Sequence, residues 1–274
     1  MEDCIVIHIP HASLNLPKHF LEALVVEESD IQEENRFLSD YGVDEFLPRE
    51  SAHVVAFDYS RMFCDVERFK DDEAEEMAKY GQGVLYTKDS NGRVFIEFDE
   101  DYRQKVLSEY YDKHHERLDE IATQALRENG ICYIVDLHSF SDEFIEKFFQ
   151  KSDNPDICLG YDSNYADLEL IDLTKKHFKE YGFTIKDNYP YGGSIVPNRY
   201  FGKKNSGVYS LMLEINKRVY LDENKSRNAK KASRLKECID AYYEVFNAHV
   251  RKKKIAIRIF LDKKMVFFTY FRAR

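Results

Sequence analysis

A single α/β domain, with a mainly parallel or mixed central sheet and helices on both faces, is the fold this chain predicts. Three observations carry that expectation. The runs Cys4–Ile9 and Ile131–Leu137 have the length and β-branched, apolar composition of buried strands. Between them lies a long amphipathic stretch, Asp99–Asn129. Strand-like and helix-like segments then alternate through most of the chain, as βα units do. The 274 residues suffice for one large domain with a sizeable core, and neither a linker nor an internal repeat divides them.

The elements follow in order. After the first strand, Pro17–Glu28 reads as a short helix and Leu38–Leu47 as a second, followed by a strand over Ala52–Asp58. The acidic run Asp71–Glu76 reads as a solvated helix face or loop. Val84–Thr87 and Arg93–Phe98 flank Ser90-Asn91-Gly92, a hairpin signal because Asn-Gly suits the tight turn. In Asp99–Asn129 the apolar positions Tyr102, Val106, Tyr110, Leu118, Ile121, Ala125 and Leu126 recur at helical spacing, and Gly130 supplies a stop. Strands are expected at Ile131–Leu137, Asp156–Gly160, Phe183–Lys186 and Val208–Ile215, and helices at Tyr165–Tyr181 and Ser226–His249. Tyr189–Gly193 is a loop.

Charge and composition narrow the function. The formal net charge is −10. Residues 251–274 hold nine Lys or Arg and one Asp, a net +8, which leaves −18 for the rest. So acidic a body argues against a nucleic-acid surface. The expected division is therefore a domain over 1–250 and a basic tail over 251–274. In the tail, Ile255–Leu261 and Met265–Phe271 could pair as a hairpin, or the segment could be an added edge element or a cloning artefact. No run approaches the ~20 apolar residues of a membrane span, and no signal peptide is recognisable, so a cytoplasmic protein is expected. The five cysteines form no C-x-x-C pair and read as buried structural thiols.

Chemistry is expected at the strand ends. Open α/β sheets bind ligands at the carboxyl ends of their strands, and both His11 and His138 are delivered there. Two imidazoles with a carboxylate form the usual ligand set of a hydrolytic zinc site. Such a metal brings water's pKa from about 15.7 to about 7. His114-His115 lies on the long helix, where the two rings face different directions. A solvated or capping role is the expectation for them.

Pro10-His11-Ala12-Ser13, Ser39-Asp40-x-x-Val43-Asp44, Ser60-Arg61-x-x-x-Asp65-x-x-Arg68, Asp136-Leu137-His138-Ser139, Gly192-Gly193 and Leu213-Glu214-Ile215-Asn216 occur in this order. The ordered set resembles the N-formylglutamate amidohydrolases, within the broader zinc carboxypeptidase-like hydrolases, from about residue 5 to residue 222. The resemblance implies one zinc ion, although such ligands also suit other divalent metals. It further implies His11 and His138 as ligands, with Asp40 as the third. Asp40 could instead be a carboxylate favoured at a helix N-terminus. Asp136 and Ser139 would support the ligands, Asp136 by orienting an imidazole. Glu214 would be the general base; its alternative is an ion pair with Arg218.

Arg61 and Arg68 would hold substrate carboxylates, and Gly192 and Gly193 would let backbone approach the ligand. The implied reaction is hydrolysis of a small N-acyl amino acid, N-formyl-L-glutamate first among them. A peptidase or cell-wall amidase of similar fold, and a non-catalytic anion- or protein-binding member, are the alternatives. One departure stands out. The usual Asp-Leu-Asn-Arg is here Asp65-Val66-Glu67-Arg68, and Glu67 would either repel an anionic substrate or pair with an arginine.

Overall fold

The computed structural model describes residues 2–48 and 53–272, with side chains up to residue 259. Its centre is one six-stranded sheet. The strands are β1 (Ile5–Ile9), β2 (His53–Ala56), β3 (Cys132–Phe140), β4 (Ile157–Gly160), β5 (Ile185–Asp187) and β6 (Val208–Asn216), in the order β2-β1-β3-β6-β4-β5. Every pairing is parallel except β4 with β6, so the sheet is mixed. Ala52, expected in the second strand, lies outside the described residues.

Strand alternation divides the core into two faces. Ile5, Ile7 and Ile9, with Tyr133, Val135 and Leu137, pack against helices α6 (Leu168–Glu180) and α7 (Ala229–Arg272). Val6, Val55, Cys132 and Ile134 point the other way, onto Leu118, Ala122 and Ala125 of helix α4 (Asp112–Asn129). Helices thus cover both faces, as expected. The long amphipathic stretch is realised as α3 (Glu100–Val106), a π-turn over Leu107–Tyr111, and α4. Asp99 caps its start by accepting the Tyr102 N–H, and Gly130 ends it at φ 74°.

A second core lies under the long connection between β2 and α3. Phe20, Phe63, Val66, Tyr86, Phe95 and Leu107 are among its buried members. The expected hairpin is reduced there to a single antiparallel bridge, Lys88 with Val94, closed by a turn in which Asp89 accepts the N–H groups of Asn91 and Arg93. Of the acidic run, Glu75 is buried and caps a 3-10 turn over Glu76–Tyr80.

Several boundaries differ from expectation. The first helix, α1, is only Lys18–Leu21. The next, α2, spans Glu28–Leu38, where Leu38–Leu47 was expected. Its buried face is Ile31, Asn35 and Leu38, and the polar Asn35 breaks the apolar period. Asn35 is buried because it is bonded, accepting the Ser60 hydroxyl at 2.6 Å and donating to Leu14 O. Helix α5 (Asp142–Phe149) was not foreseen; Ser141 caps it through the Phe144 N–H.

The tail is not a hairpin: the backbone continues α7 through Arg272. That helix is packed into the core through Leu235, Ile239, Tyr242 and Phe246, and extending a formed helix costs far less than starting one. No helix among the described residues is long and apolar enough to cross a membrane. All five cysteines are buried and unpaired, as expected.

Candidate metal centre

Near the carboxyl edge of the sheet, polar side chains cluster on the face that α4 covers. Parallel register sets His8 of β1 beside Asp136 of β3, and His138 of β3 beside Glu214 of β6. His11 follows β1 by two residues, and its carbonyl accepts the Asp40 N–H at 2.8 Å, which fixes the loop after α2 against the strand end. Asp40 therefore lies beyond a helix C-terminus, which removes the reading of it as an N-terminal helix carboxylate.

Three of these side chains come together. His11, Asp40 and His138 offer ligand atoms within 4.8 Å of one another, and all three residues are buried. Asp40 Oδ2 lies 3.1 Å from His138 Nδ1 and 3.8 Å from His11 Nδ1. The other nitrogen of each ring faces a carboxylate: His11 Nε2 is 2.7 Å from Asp65 Oδ1, and His138 Nε2 is 3.0 Å from Asp136 Oδ1. Carboxylates placed behind imidazoles in this way orient metal-binding histidines.

Electrostatics decide the proton positions. Burial would raise Asp65, but Arg61, His11 and Arg68 override it and hold this carboxyl well below its ordinary range. Ionised Asp65 can only accept, so the His11 proton sits on Nε2 and its Nδ1 carries a lone pair. That nitrogen is buried and has no hydrogen-bond partner, and burial together with the Arg61 charge lowers the ring's pKa. A buried unpaired acceptor is costly. A cation beside it would remove the cost, so the residues fit a divalent metal.

His138 behaves oppositely. Burial alone would lower its pKa, but Glu67, Asp136 and Asp40 together raise it well above the ordinary value. Without a metal, its imidazolium supplies the positive charge that these carboxylates require.

Glu214 is buried, and one of its oxygens has no partner. Burial pushes its carboxyl up to about 8 against the pull of His138. The alternative pairing with Arg218 does not form, since that guanidinium bonds Asp142 at 2.7 Å and Asp156 at 3.1 Å.

The family model that matches this chain is that of the N-formylglutamate amidohydrolases, over residues 3–221. The chain belongs to that family. As an N-formylglutamate amidohydrolase family member it falls among enzymes that hydrolyse amides. A crystal structure of N-formylglutamate amidohydrolase from Ralstonia eutropha JMP134 shares the fold, with TM-score 0.77 at 23% identity over 91% of this chain and 95% of that one. The gene product Atu2144 from Agrobacterium tumefaciens does so with TM-score 0.62 at 20% identity, over 89% and 92%. No curated protein sequence matches the chain.

The remaining predicted residues of this family member sit around the cluster. Asp136 Oδ1 accepts from His8 Nδ1 at 2.8 Å and Oδ2 from the Ile195 N–H at 3.1 Å. Ser139 is buried with an unpartnered hydroxyl. Arg61 gives Nε and Nη2 to Asp65 at 3.0 and 2.8 Å and Nη1 to Leu38 O. Arg68 is looser, at 3.4 Å from Glu75 and 3.5 Å from Asp65, and its Nε has no hydrogen-bond partner.

The Gly192-Gly193 loop packs against the end of β4. Gly193 stands at φ 82°, donates its N–H to Asn188 Oδ1, and presses its carbonyl against Gly160. A Cβ at Gly160 would collide with that carbonyl and with Met212. Gly160→Ala is therefore expected to cost about 1–3 kcal/mol, and a thermal unfolding comparison checks it.

Several contributors escaped sequence reasoning. Asp65 carries no spacing signal toward His11, although arginines four residues before and three after it mark a paired carboxylate. Tyr86 also donates to it at 2.9 Å. His114 and His115 are buried, neither solvated nor capping: His114 Nε2 meets His8 Nε2 at 2.8 Å, and His115 Nε2 bonds Val66 O at 2.7 Å. Lys217 Nζ donates to Ser39 O at 2.6 Å and to Phe37 O at 3.2 Å, holding the chain that leads into Asp40.

Proposed function

We propose that this chain is a zinc-dependent amidohydrolase that cleaves a small N-acyl amino acid, with N-formyl-L-glutamate the leading substrate. The observation carrying this reading is the buried His11–Asp40–His138 cluster, with its unpartnered imidazole nitrogen, one strand away from the unpartnered carboxyl of Glu214. When bound there, the metal supplies Lewis-acid polarisation of a carbonyl and acidifies water. His11, Asp40 and His138 would hold it, with Asp65 and Asp136 fixing the two rings.

Glu214 would accept the proton of the attacking water and return it to the leaving amine. Its pKa of about 8 without a metal matches a group poised for proton transfer near neutrality. Arg68, with donors not committed inside the protein, would meet a substrate carboxylate. Arg61 would act through Asp65. The Gly192-Gly193 backbone would line the opposite wall. The products from the leading substrate are formate and glutamate.

Amine release from a panel of N-acyl amino acids, led by N-formyl-L-glutamate, tests the proposal with zinc-loaded and chelator-treated protein. Zinc-dependent release is the expected result. No release from any member by protein carrying zinc would overturn it.

A further inference from the structure

We propose that His114 and His115, adjacent on α4, are positioning residues for the metal centre, each fixing one of the two carboxylates behind the ligand imidazoles. This rests on the reading of His11, Asp40 and His138 as that centre. Asp65 stands behind His11 at 2.7 Å and Asp136 behind His138 at 3.0 Å. Neither carboxylate belongs to α4, yet a histidine of α4 reaches toward each.

His114 works through His8. Asp136 faces three nitrogen groups, His8 Nδ1, His138 Nε2 and the Ile195 N–H, and so serves them as an acceptor. A neutral His8 therefore carries its proton on Nδ1, and its Nε2 turns a lone pair to His114 Nε2 at 2.8 Å. His114 supplies the N–H that this nitrogen needs, its ring held edge-on against Phe57. Flipping the His8 ring would break both bonds at once. His114 thus selects the orientation in which His8 grips Asp136. All four side chains of this chain of contacts are buried.

His115 works through the backbone. Its Nε2 donates to the Val66 carbonyl at 2.7 Å. Val66 lies between Asp65 and Glu67, and the Glu67 N–H goes to Asp65 Oδ1 at 3.2 Å. The segment that stands behind His11 is therefore held from α4 as well. Glu67 rides on that segment, its carboxylate 3.2 Å from His138 Nε2 and 3.8 Å from both His8 Nδ1 and His11 Nδ1. Among the described residues its ion-pair partners are histidines alone, so the arginine pairing expected from the sequence does not form. Successive residues of a helix project about 100° apart, which lets one dipeptide reach β1 and this segment together.

The test uses the full chain with zinc as the probe, comparing native protein with His114→Leu, His115→Leu, His114→Gln, His115→Gln and His11→Ala. Competition with a chromogenic chelator reads zinc affinity, and circular dichroism reads folding. Long-range proton–nitrogen NMR reads the imidazole tautomers of the metal-free protein. Each folded leucine variant is expected to bind zinc roughly tenfold more weakly. Each glutamine variant keeps an N–H donor on an arm of similar reach and is expected to recover most of that loss. The native spectrum should show His8 protonated on Nδ1, and His114→Leu should change the signals of that ring. Native affinity in a folded leucine variant, with His11→Ala defective, would overturn the role of that histidine and leave the centre standing. Should the leucine variants not fold, two results still decide. A native His8 protonated on Nε2 would overturn the route through His114, and a folded glutamine variant roughly tenfold weaker than native would overturn the hydrogen bond as the cause. Failure of the native chain to bind zinc would overturn the metal centre and both positioning roles together.

Discussion

Glu214→Gln is expected to lower kcat by about 10²–10⁴, the usual worth of a positioned proton carrier, while zinc stays bound. Turnover and metal content measured on one preparation check both halves. A second consequence appears in the metal-free protein. Burial holds the folded carboxyl at about 8, against an ordinary value of 4.5 for a carboxyl in water. Between those values the unfolded chain releases a proton that the folded chain keeps, so native stability falls as pH rises, at most by about 1.4 kcal/mol per pH unit. Below the lower value the effect is absent, and above the upper one it is complete. The glutamine variant has no such slope. Without metal it should unfold at a higher temperature than the native chain at about pH 8, and at nearly the same temperature at about pH 4. Equal unfolding temperatures at the higher pH would remove the case for a buried neutral carboxyl.

The second large effect is on metal affinity. His138 holds a proton in the metal-free site because Glu67, Asp136 and Asp40 surround it. An imidazole must give up that proton before it can ligate. Zinc affinity should therefore rise about tenfold per pH unit through the range in which His138 is still protonated. Calorimetry in two buffers of different ionisation enthalpy should show about one proton released per zinc near pH 7. A binding constant independent of pH would sink His138 as a ligand. His138→Ala should lose metal affinity altogether, and a folded, zinc-replete variant would do the same damage to the idea.

Much of the sheet was legible because its strands are short apolar runs bounded by turns. β1, β3, β4 and β6 fall within a few residues of their expected places. His11, His138, Asp136 and Glu214 stood out for a related reason: each sets a charged or imidazole group at or just past the end of such a run.

Other supporting groups were not legible. Asp65 reaches His11 across 54 positions, a separation that no local period encodes. Helix α2 was hidden by Asn35, whose burial depends on a serine 25 residues away. The tail misled for another reason. Its isoleucines and aromatics suggest strands, but a helix already anchored by Tyr242 and Phe246 dictates the backbone that follows. Glu67 was visible as a departure from the family pattern, and its position among the imidazoles was not.

The π-turn at Leu107–Tyr111 bears on how this helix tolerates length changes. Val106 and Leu107 serve the core beneath the long connection, whereas Leu118, Ala122 and Ala125 serve the sheet. One surplus residue between them rotates everything downstream by about 100° relative to an uninterrupted α-helix. That rotation brings His114 against His8 and His115 against Val66. A one-residue deletion there would make a more regular helix, yet it would put the two halves out of phase with their cores. The irregularity acts as a phase correction that lets one rod serve two surfaces, and losing it would loosen the rings behind Asp136 before it touched any proposed ligand.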